Sequence, residues 1–278
     1  MATAKGSEKR IFVTGGASGF GRALAERWAR AGYRVCIGDI HEERGKETLA
    51  ALRALGATAH SLRCDVTKEE DLEAAAAWLK ANWGGVDIVV NNAGVAVGGG
   101  ITEISLEDWR WIVDINLLGV VRGCKVFTPI FKKQGQGRFV NVSSMAGLIH
   151  PPMMSAYNAT KAGVVAISET LRVELAGDGI DVTVVCPSFF RTNLTETMRS
   201  GNADTARITD RLVNKAKRGA DEIAELTFRG VERGDFHVLT HADGKVAWML
   251  KRLAPFSVYA RAITHNTKRM MRKTPAAT

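Results

Sequence analysis

Tyr157 and Lys161 stand four residues apart in the stretch Tyr157-Asn158-Ala159-Thr160-Lys161. On a helix this spacing puts a phenol and an ammonium on one face, about 6 Å apart along the axis. A phenol, with a reference pKa of about 10, is a poor proton acceptor at neutral pH. A fixed cation beside it favours the phenolate and moves the group toward general acid–base work. The same spacing describes an ordinary solvated helix face, so the pair gains meaning only from its surroundings.

A second set of residues suits an anion. Thr14-Gly15-Gly16-Ala17-Ser18-Gly19-Phe20-Gly21 follows the apolar run Ile11-Phe12-Val13 and precedes Arg22 to Ala31, rich in Ala, Leu and Glu. That order predicts a strand, a glycine turn and a helix. The glycines let a pyrophosphate approach the backbone, and the helix N-terminus offers it free N–H groups. Asp39 closes the next apolar run, Arg34 to Asp39. An acid there accepts hydrogen bonds from an adenosine ribose and repels a 2′-phosphate, which favours NAD over NADP. Its competing role is to cap the following helix, His41 to Leu55. No arginine follows it directly; Ile40 and His41 do.

These groups need a frame, and the chain supplies one. Apolar runs at Ala57–Cys64, Val86–Val90, Gly137–Val142, Asp181–Cys186 and Asp235–Thr240 alternate with helical patterns at 68–82, 105–133, 155–176 and 220–233. Alternation of this kind predicts an α/β fold: a doubly wound parallel sheet of about seven strands with helices on both faces, in one domain. Polar residues recur at the strand ends: Asp65-Val66, Asn91-Asn92-Ala93-Gly94, Ser143-Ser144 and Pro187-Ser188. Ligands bind at the carboxyl ends of such strands, although Asn and Gly also favour plain turns. Asn116 lies within a helical stretch between Ile115 and Leu117, which predicts a local distortion or a buried polar role. Gly98-Gly99-Gly100 reads as a flexible loop, Met145 to Met154 as a loop, and residues 193–217 as a mobile lid.

Composition bounds the rest. Of 278 residues, 46% are hydrophobic, enough for a sizeable core. Met1 to Arg10 is polar, without the apolar centre of a signal peptide. Cys36, Cys64, Cys124 and Cys186 are scattered and read as core thiols of a reduced, cytoplasmic protein. No metal is expected. The net charge is +9, yet residues 241–278 hold eight Lys/Arg against one acid, Asp243. The body is therefore near neutral and the basicity belongs to the tail.

Together, Thr14-Gly15-x-x-x-Gly19-x-Gly21, Asp65-Val66, Asn91-Asn92-Ala93-Gly94, Asn116, Ser144 and Tyr157-x-x-x-Lys161 resemble the short-chain dehydrogenase/reductase family in its short, single-domain form. The resemblance covers roughly residues 9–240. It implies a Rossmann-like oxidoreductase that moves a hydride between nicotinamide C4 and a carbinol or carbonyl carbon. Tyr157 would exchange the proton, Lys161 would stabilise the phenolate and hold the nicotinamide ribose, and Ser144 would hold the substrate oxygen. Ser144 takes precedence over Ser143 because it has the family's spacing to Tyr157. Asn116 would hold a water on a proton path from Lys161. The implied cofactor contacts are Gly15, Ser18, Gly19, Phe20, Gly21, Asp39, Asp65, Val66, Asn92, Ala93, Gly94, Tyr157, Lys161, Pro187 and Thr192. A homodimer or homotetramer is also implied. The chain departs from the family pattern at Pro187-Ser188, where Pro-Gly is common, and in the 38 residues after Thr240.

The loops expected to flank the substrate are apolar, including Val95, Met145, Met154, Phe189 and Phe190. They suit a hydrophobic secondary alcohol or ketone. The alternatives are a silent dinucleotide-binding regulator and a membrane-surface dehydrogenase of lipid, steroid or retinoid type. Within the tail, Val246 to Tyr259 mixes aromatics with cations. Three readings follow: a helix folded over the substrate mouth or a neighbouring subunit, peripheral attachment to an anionic membrane, and, in last place with no motif in support, nucleic-acid binding. The prediction is no nucleic-acid partner. Residues 264–278 are expected to lack fixed structure.

Overall fold

The structure, a computed structural model, describes the backbone of residues 8–272 and the side chains of residues 8–265. Its centre is a seven-stranded parallel sheet. The strands are β1 (Arg10–Thr14), β2 (Arg34–Asp39), β3 (Ala59–Arg63), β4 (Ile88–Asn91), β6 (Gly137–Val142), β7 (Ile180–Val185) and β9 (His237–Val238), in spatial order β3-β2-β1-β4-β6-β7-β9. The short β5 (Val97–Gly98) pairs in parallel with β8 (Arg199–Ser200) in a separate two-stranded sheet.

Period-two alternation shows why these runs are strands. Ile11 and Val13 face one core, while Phe12 between them faces the other. On the first face lie α1 (Gly19–Arg30), α2 (Glu42–Ala54) and α9 (Ala220–Arg233), with Trp28, Leu24, Leu52 and Ile223 inward. On the second lie α3 (Glu69–Trp83), α5 (Gly119–Gln134) and α7 (Ser155–Glu174), burying Leu72, Phe127 and Val164. Both faces of the sheet are thus covered. Order reverses between β1 and β4, and this switch point is where such sheets bind ligands.

The predicted elements appear with shifted ends and four differences. The stretch 105–133 is α4 (Leu106–Val113), one π-helical turn at Asp114–Leu118 and then α5, so Asn116 sits in a distortion. Asn116 is fully buried in that turn. Met145 to Met154 contains the short helix α6 (Ala146–Ile149) instead of being loop throughout. Gly98 is no free loop: it pairs with Ser200, and Gly99 N–H donates to Met153 O at 2.8 Å. Residues 193–217 contain β8 and α8 (Ala203–Asn214), whose N-cap Asn202 accepts from Thr205 N–H at 2.8 Å.

The tail is helical. α10 (Ala242–Leu253) and α11 (Phe256–Arg272) meet at Pro255, so the expected lack of structure from Thr264 fails up to Arg272; residues 273–278 lie outside the described residues. Among the described residues no helix is long and apolar enough to cross a membrane.

Candidate active site

The glycine turn is built by close backbone approach. Gly15 and Gly19 have φ of 63° and 52°, the left-handed region that glycine enters without strain. Gly15 N–H donates to Gly38 O at 2.8 Å. A Cβ on Gly21 would collide with the Gly15 carbonyl oxygen and Asn92 Nδ2. Thr14 Oγ1 accepts from Asn92 N–H at 3.0 Å and Ala93 N–H at 3.2 Å, and Asn92 Nδ2 donates to Thr14 O at 2.9 Å and Gly15 O at 3.1 Å. The Asn92 side chain therefore braces the turn from β4. α1 starts at once, with no acid in its first turn and no capping bond from the Ser18 side chain. Its N-terminal N–H groups and dipole fit a pyrophosphate.

Asp39 is buried at 8% exposure. One carboxylate oxygen accepts from Ala17 N–H and the other from His41 N–H, each at 3.0 Å. It ties the turn to the start of α2. A carboxylate offers about four acceptor positions, so these two bonds leave capacity for a ribose. Asp65 accepts from Thr67 N–H at 3.0 Å and Thr67 Oγ1 at 2.7 Å. Burial opposes its ionisation, but these bonds prevail and hold it below the usual carboxylate range. Val66 packs under Gly119 and presents its carbonyl to Arg122 at 3.1 Å.

At the carboxyl ends of β4 and β6 the reactive side chains converge. Lys161 Nζ lies 5.8 Å from the centre of the Tyr157 ring and donates to Val142 O at 2.9 Å. Ser144 bonds the Tyr157 side chain, accepts from Ala146 N–H at 3.1 Å and donates to Pro187 O at 3.3 Å. Ser143 instead donates to Lys161 O at 2.8 Å, fixing the helix that carries the pair. A Cβ on Gly94 would lie 3.5 Å from Lys161 Nζ and 3.1 Å from Asn116 Oδ1. Asn116 grips Val95 by both ends of its amide, accepting from its N–H at 2.8 Å and donating to its C=O at 2.9 Å.

The electrostatics differ from the expectation for an isolated pair. Burial pushes the Tyr157 phenol above its usual value, and the Ser144 bond lowers it only in part. Burial brings Lys161 down to about 8. The buried ammonium serves the Val142 carbonyl first, so in this arrangement desolvation outweighs its effect on the phenol.

Around Tyr157 lies an apolar cluster of Val97, Ile112, Ala146 and Met154, with Val95, Trp111, Leu194 and Met198 packed against it. Met145 belongs to a neighbouring cluster with Leu148 and Trp248, and Gly244 of α10 lies over it. Phe190 packs on Phe20 at 5.2 Å, beside the glycine turn and away from Met154; Phe189 is exposed. Thr192 reaches the same turn: its hydroxyl and Asn193 Oδ1 crowd the space above Gly19, and Asn193 Nδ2 donates to Ser18 Oγ at 2.9 Å.

Sequence reasoning missed Asn193, Trp111, Leu194 and Met198; Lys251 and Tyr259 lie in the tail stretch it singled out, without their partners being named. Leu194 and Met198 are isolated apolar residues in a polar stretch, the one signal that could have flagged them. Lys251 Nζ donates to Leu148 O at 2.6 Å and to His150 Nδ1 at 2.7 Å, and the Tyr259 hydroxyl donates to Ile149 O. The extension thus clamps the 145–150 segment beside Tyr157. Among the described residues no group of His, Cys, Asp or Glu could hold a metal ion.

Residues 9–203 match the short chain dehydrogenase family. The chain is 34% identical to the CLA biosynthesis dehydrogenase/reductase of Lactiplantibacillus plantarum, across 85% of this chain and 89% of that one. It is 36% identical to the 2,5-dichloro-2,5-cyclohexadiene-1,4-diol dehydrogenase LinX of Sphingobium indicum, across 67% and 75%. A crystal structure of a short-chain dehydrogenase/reductase from Burkholderia phymatum in complex with NAD superposes with a TM-score of 0.85 at 34% identity, covering 88% of this chain and 93% of that one. With the parallel sheet, the glycine turn and the Ser144–Tyr157–Lys161 convergence in place, the chain belongs to the short-chain dehydrogenase/reductase family of oxidoreductases.

Proposed function

We propose that this protein is an NAD-dependent oxidoreductase that interconverts a hydrophobic secondary alcohol and its ketone, with Tyr157 as general acid and base. The observation that carries the proposal is the convergence of Ser144, Tyr157 and Lys161 beside the Asn92–Gly94 strand end. When bound, the nicotinamide supplies the hydride chemistry. Ser144 holds the substrate oxygen against Tyr157, a positioned donor toward developing charge. Tyr157 takes the alcohol proton in oxidation and returns it in reduction. Lys161 has three N–H donors, of which Val142 O takes one. The others are free to serve the phenolate oxygen and the nicotinamide ribose. Asn116 fixes the Val95 backbone above Lys161, and we assign it a water on the proton path from there to solvent.

The buried Asp39 carboxylate supports NAD over NADP, since a 2′-phosphate would face its charge and no arginine directly follows it; Arg63, beside it on β3, is paired with Asp71 at 3.0 Å. The apolar cluster at Tyr157 supports a hydrophobic substrate, as does the cyclic diol named for the Sphingobium relative. A homodimer or homotetramer is part of the same reading, testable by light scattering.

Tyr157→Phe tests the assignment. NAD⁺ affinity should hold while turnover falls by about 10³-fold, within the range of lost acid–base catalysis. Unchanged turnover would refute the role. Absence of NADH formation from every aliphatic, aromatic and steroid alcohol, with NAD⁺ still bound, would favour a regulatory protein. Activity confined to charged polyols would sink the substrate class.

A further inference from the structure

Thirteen large hydrophobic residues are exposed among the described residues, and six of them fall in one short stretch: Val246, Met249, Leu250, Leu253, Phe256 and Val258. The first four recur at i, i+3, i+4 and i+7 on α10, one continuous stripe. The opposite side of α10 faces the body: Gly244 lies on Met145, Trp248 joins the Leu148 cluster and Lys251 donates to Leu148 O. The stripe is therefore the outer face of a helix whose inner face is fixed. Leu253 and Phe256 are 80% and 76% exposed, and sit where α10 turns into α11. Isolated exposed apolars are ordinary, but a contiguous run marks an interaction surface.

Charge indicates the occupant. Lys245 and Arg252 share the flank of α10 next to the stripe, Arg252 lying 5.1 Å from the Trp248 ring, and Arg261 is exposed one turn beyond Phe256. The sole acid of residues 241–278, Asp243, bonds its own helix start at Gly244 N–H, 2.9 Å away. Seven of the nine net positive charges belong to this segment. Two copies meeting through this face would bring those charges together, which disfavours self-association. A nucleic acid would leave the apolar stripe in water.

We propose that the outer face of α10 and the start of α11 docks on an anionic membrane surface. Leu253 and Phe256 enter the headgroup–acyl boundary, while Lys245, Arg252 and Arg261 meet acidic headgroups. This does not depend on the assigned reaction, since binding needs no turnover.

The test is sedimentation of the full-length protein with lipid vesicles. Vesicles of phosphatidylcholine plus phosphatidylglycerol should pellet the protein at low salt, and high salt should weaken binding about tenfold or more. Pure phosphatidylcholine vesicles should bind it about tenfold or more less well. The double variant Leu253→Glu/Phe256→Glu alters exposed positions, so its melting curve and NAD⁺ binding should match the parent. Its affinity for anionic vesicles should fall at least about tenfold. The proposal is overturned by absence of binding at low salt, by equal binding to neutral vesicles, or by a variant that binds as the parent does. It is overturned equally if the variant splits a larger assembly into a smaller one in light scattering, because a second copy would then cover the face.

Discussion

The proposed cofactor cradle and the proposed substrate wall meet at Tyr157 but are held by different forces. In the cradle, backbone packs on backbone: Gly15 on Ala93, Gly21 on Gly15, with Thr14 and Asn92 closing the gaps. No side chain larger than hydrogen fits at Gly21. The wall is the 145–154 segment, and its backbone is strained. His150 and Met153 have φ of 48° and 64°, left-handed values that cost a non-glycine residue on the order of 1 kcal/mol. External ties hold that segment: Lys251 and Tyr259 bond its carbonyls from about a hundred residues away, and the Gly99 N–H fastens Met153. The 199–202 stretch is tied likewise, by Arg199 to Asp108 at 3.0 Å and by Asn202 Nδ2 to Glu103 at 2.6 Å. A cradle made of backbone cannot be adjusted without being lost. A wall made of long-range side-chain ties can be retuned one tie at a time.

Gly21→Ala should break the cradle outright. Its methyl would meet the Gly15 carbonyl oxygen with no room to relax, so the turn must open. Dinucleotide affinity, measured by fluorescence quenching or calorimetry, should fall about a hundredfold, equivalent to about 2.7 kcal/mol. A parent-like affinity would show that the turn is softer than its contacts imply.

Lys251→Met should produce a smaller effect of a different kind. The substitution keeps the aliphatic stem but leaves Leu148 O and His150 Nδ1 without their ammonium. Losing a charge-assisted hydrogen bond near the surface costs about 1 kcal/mol, or a few degrees in melting temperature. Because the segment it holds lines the site without touching the proton-transfer atoms, KM should rise severalfold while kcat stays within about twofold. Lys245→Met, on the exposed flank of the same helix, is the control. Equal changes in the two variants would remove the distinction between wall and surface.

The same contrast decides what was legible in the sequence. The cradle is local: glycines, an acid at a strand end and Asn-Asn-Ala-Gly are each read from short windows, because steric demand leaves a mark at the very residue that bears it. Asn116 was legible for the same reason, as an indifferent helix former that turned out to sit in a π turn. The wall is non-local. Nothing at Leu148 announces a partner at Lys251, and nothing in Gly98 announces its pairing with Ser200. Asp39 marks the limit of local reading in another way. On sequence a ribose and the next helix compete for its carboxylate, yet in the fold one oxygen bonds the turn and the other the start of α2. The tyrosine's electrostatics were misread because spacing reveals a nearby cation but not the depth of burial that counters it.

The finest probe of the wall is proton concentration. His150 Nδ1 accepts from the Lys251 ammonium, so its Nε2 carries the hydrogen and donates to Gly147 O at 3.1 Å, and the imidazole is neutral. Burial, then Lys251, push its pKa below the ordinary value, against the opposing bond to Gly147. The unfolded chain takes up a proton near the reference pKa of about 6.5, while the folded chain resists it. The stability from this group is therefore full above about 6.5 and is lost as pH falls through the lower folded value. Since the His150 ring is only partly buried and the residue as a whole is exposed, screening keeps the effect small. His150→Asn keeps a residue that tolerates the left-handed backbone and removes the titration. Between about pH 7.5 and about pH 5, the parent's melting temperature should fall about one or two degrees more than the variant's. Parallel curves would mean that Lys251 holds the segment through Leu148 O alone, and that the wall carries no pH-sensitive tie at His150.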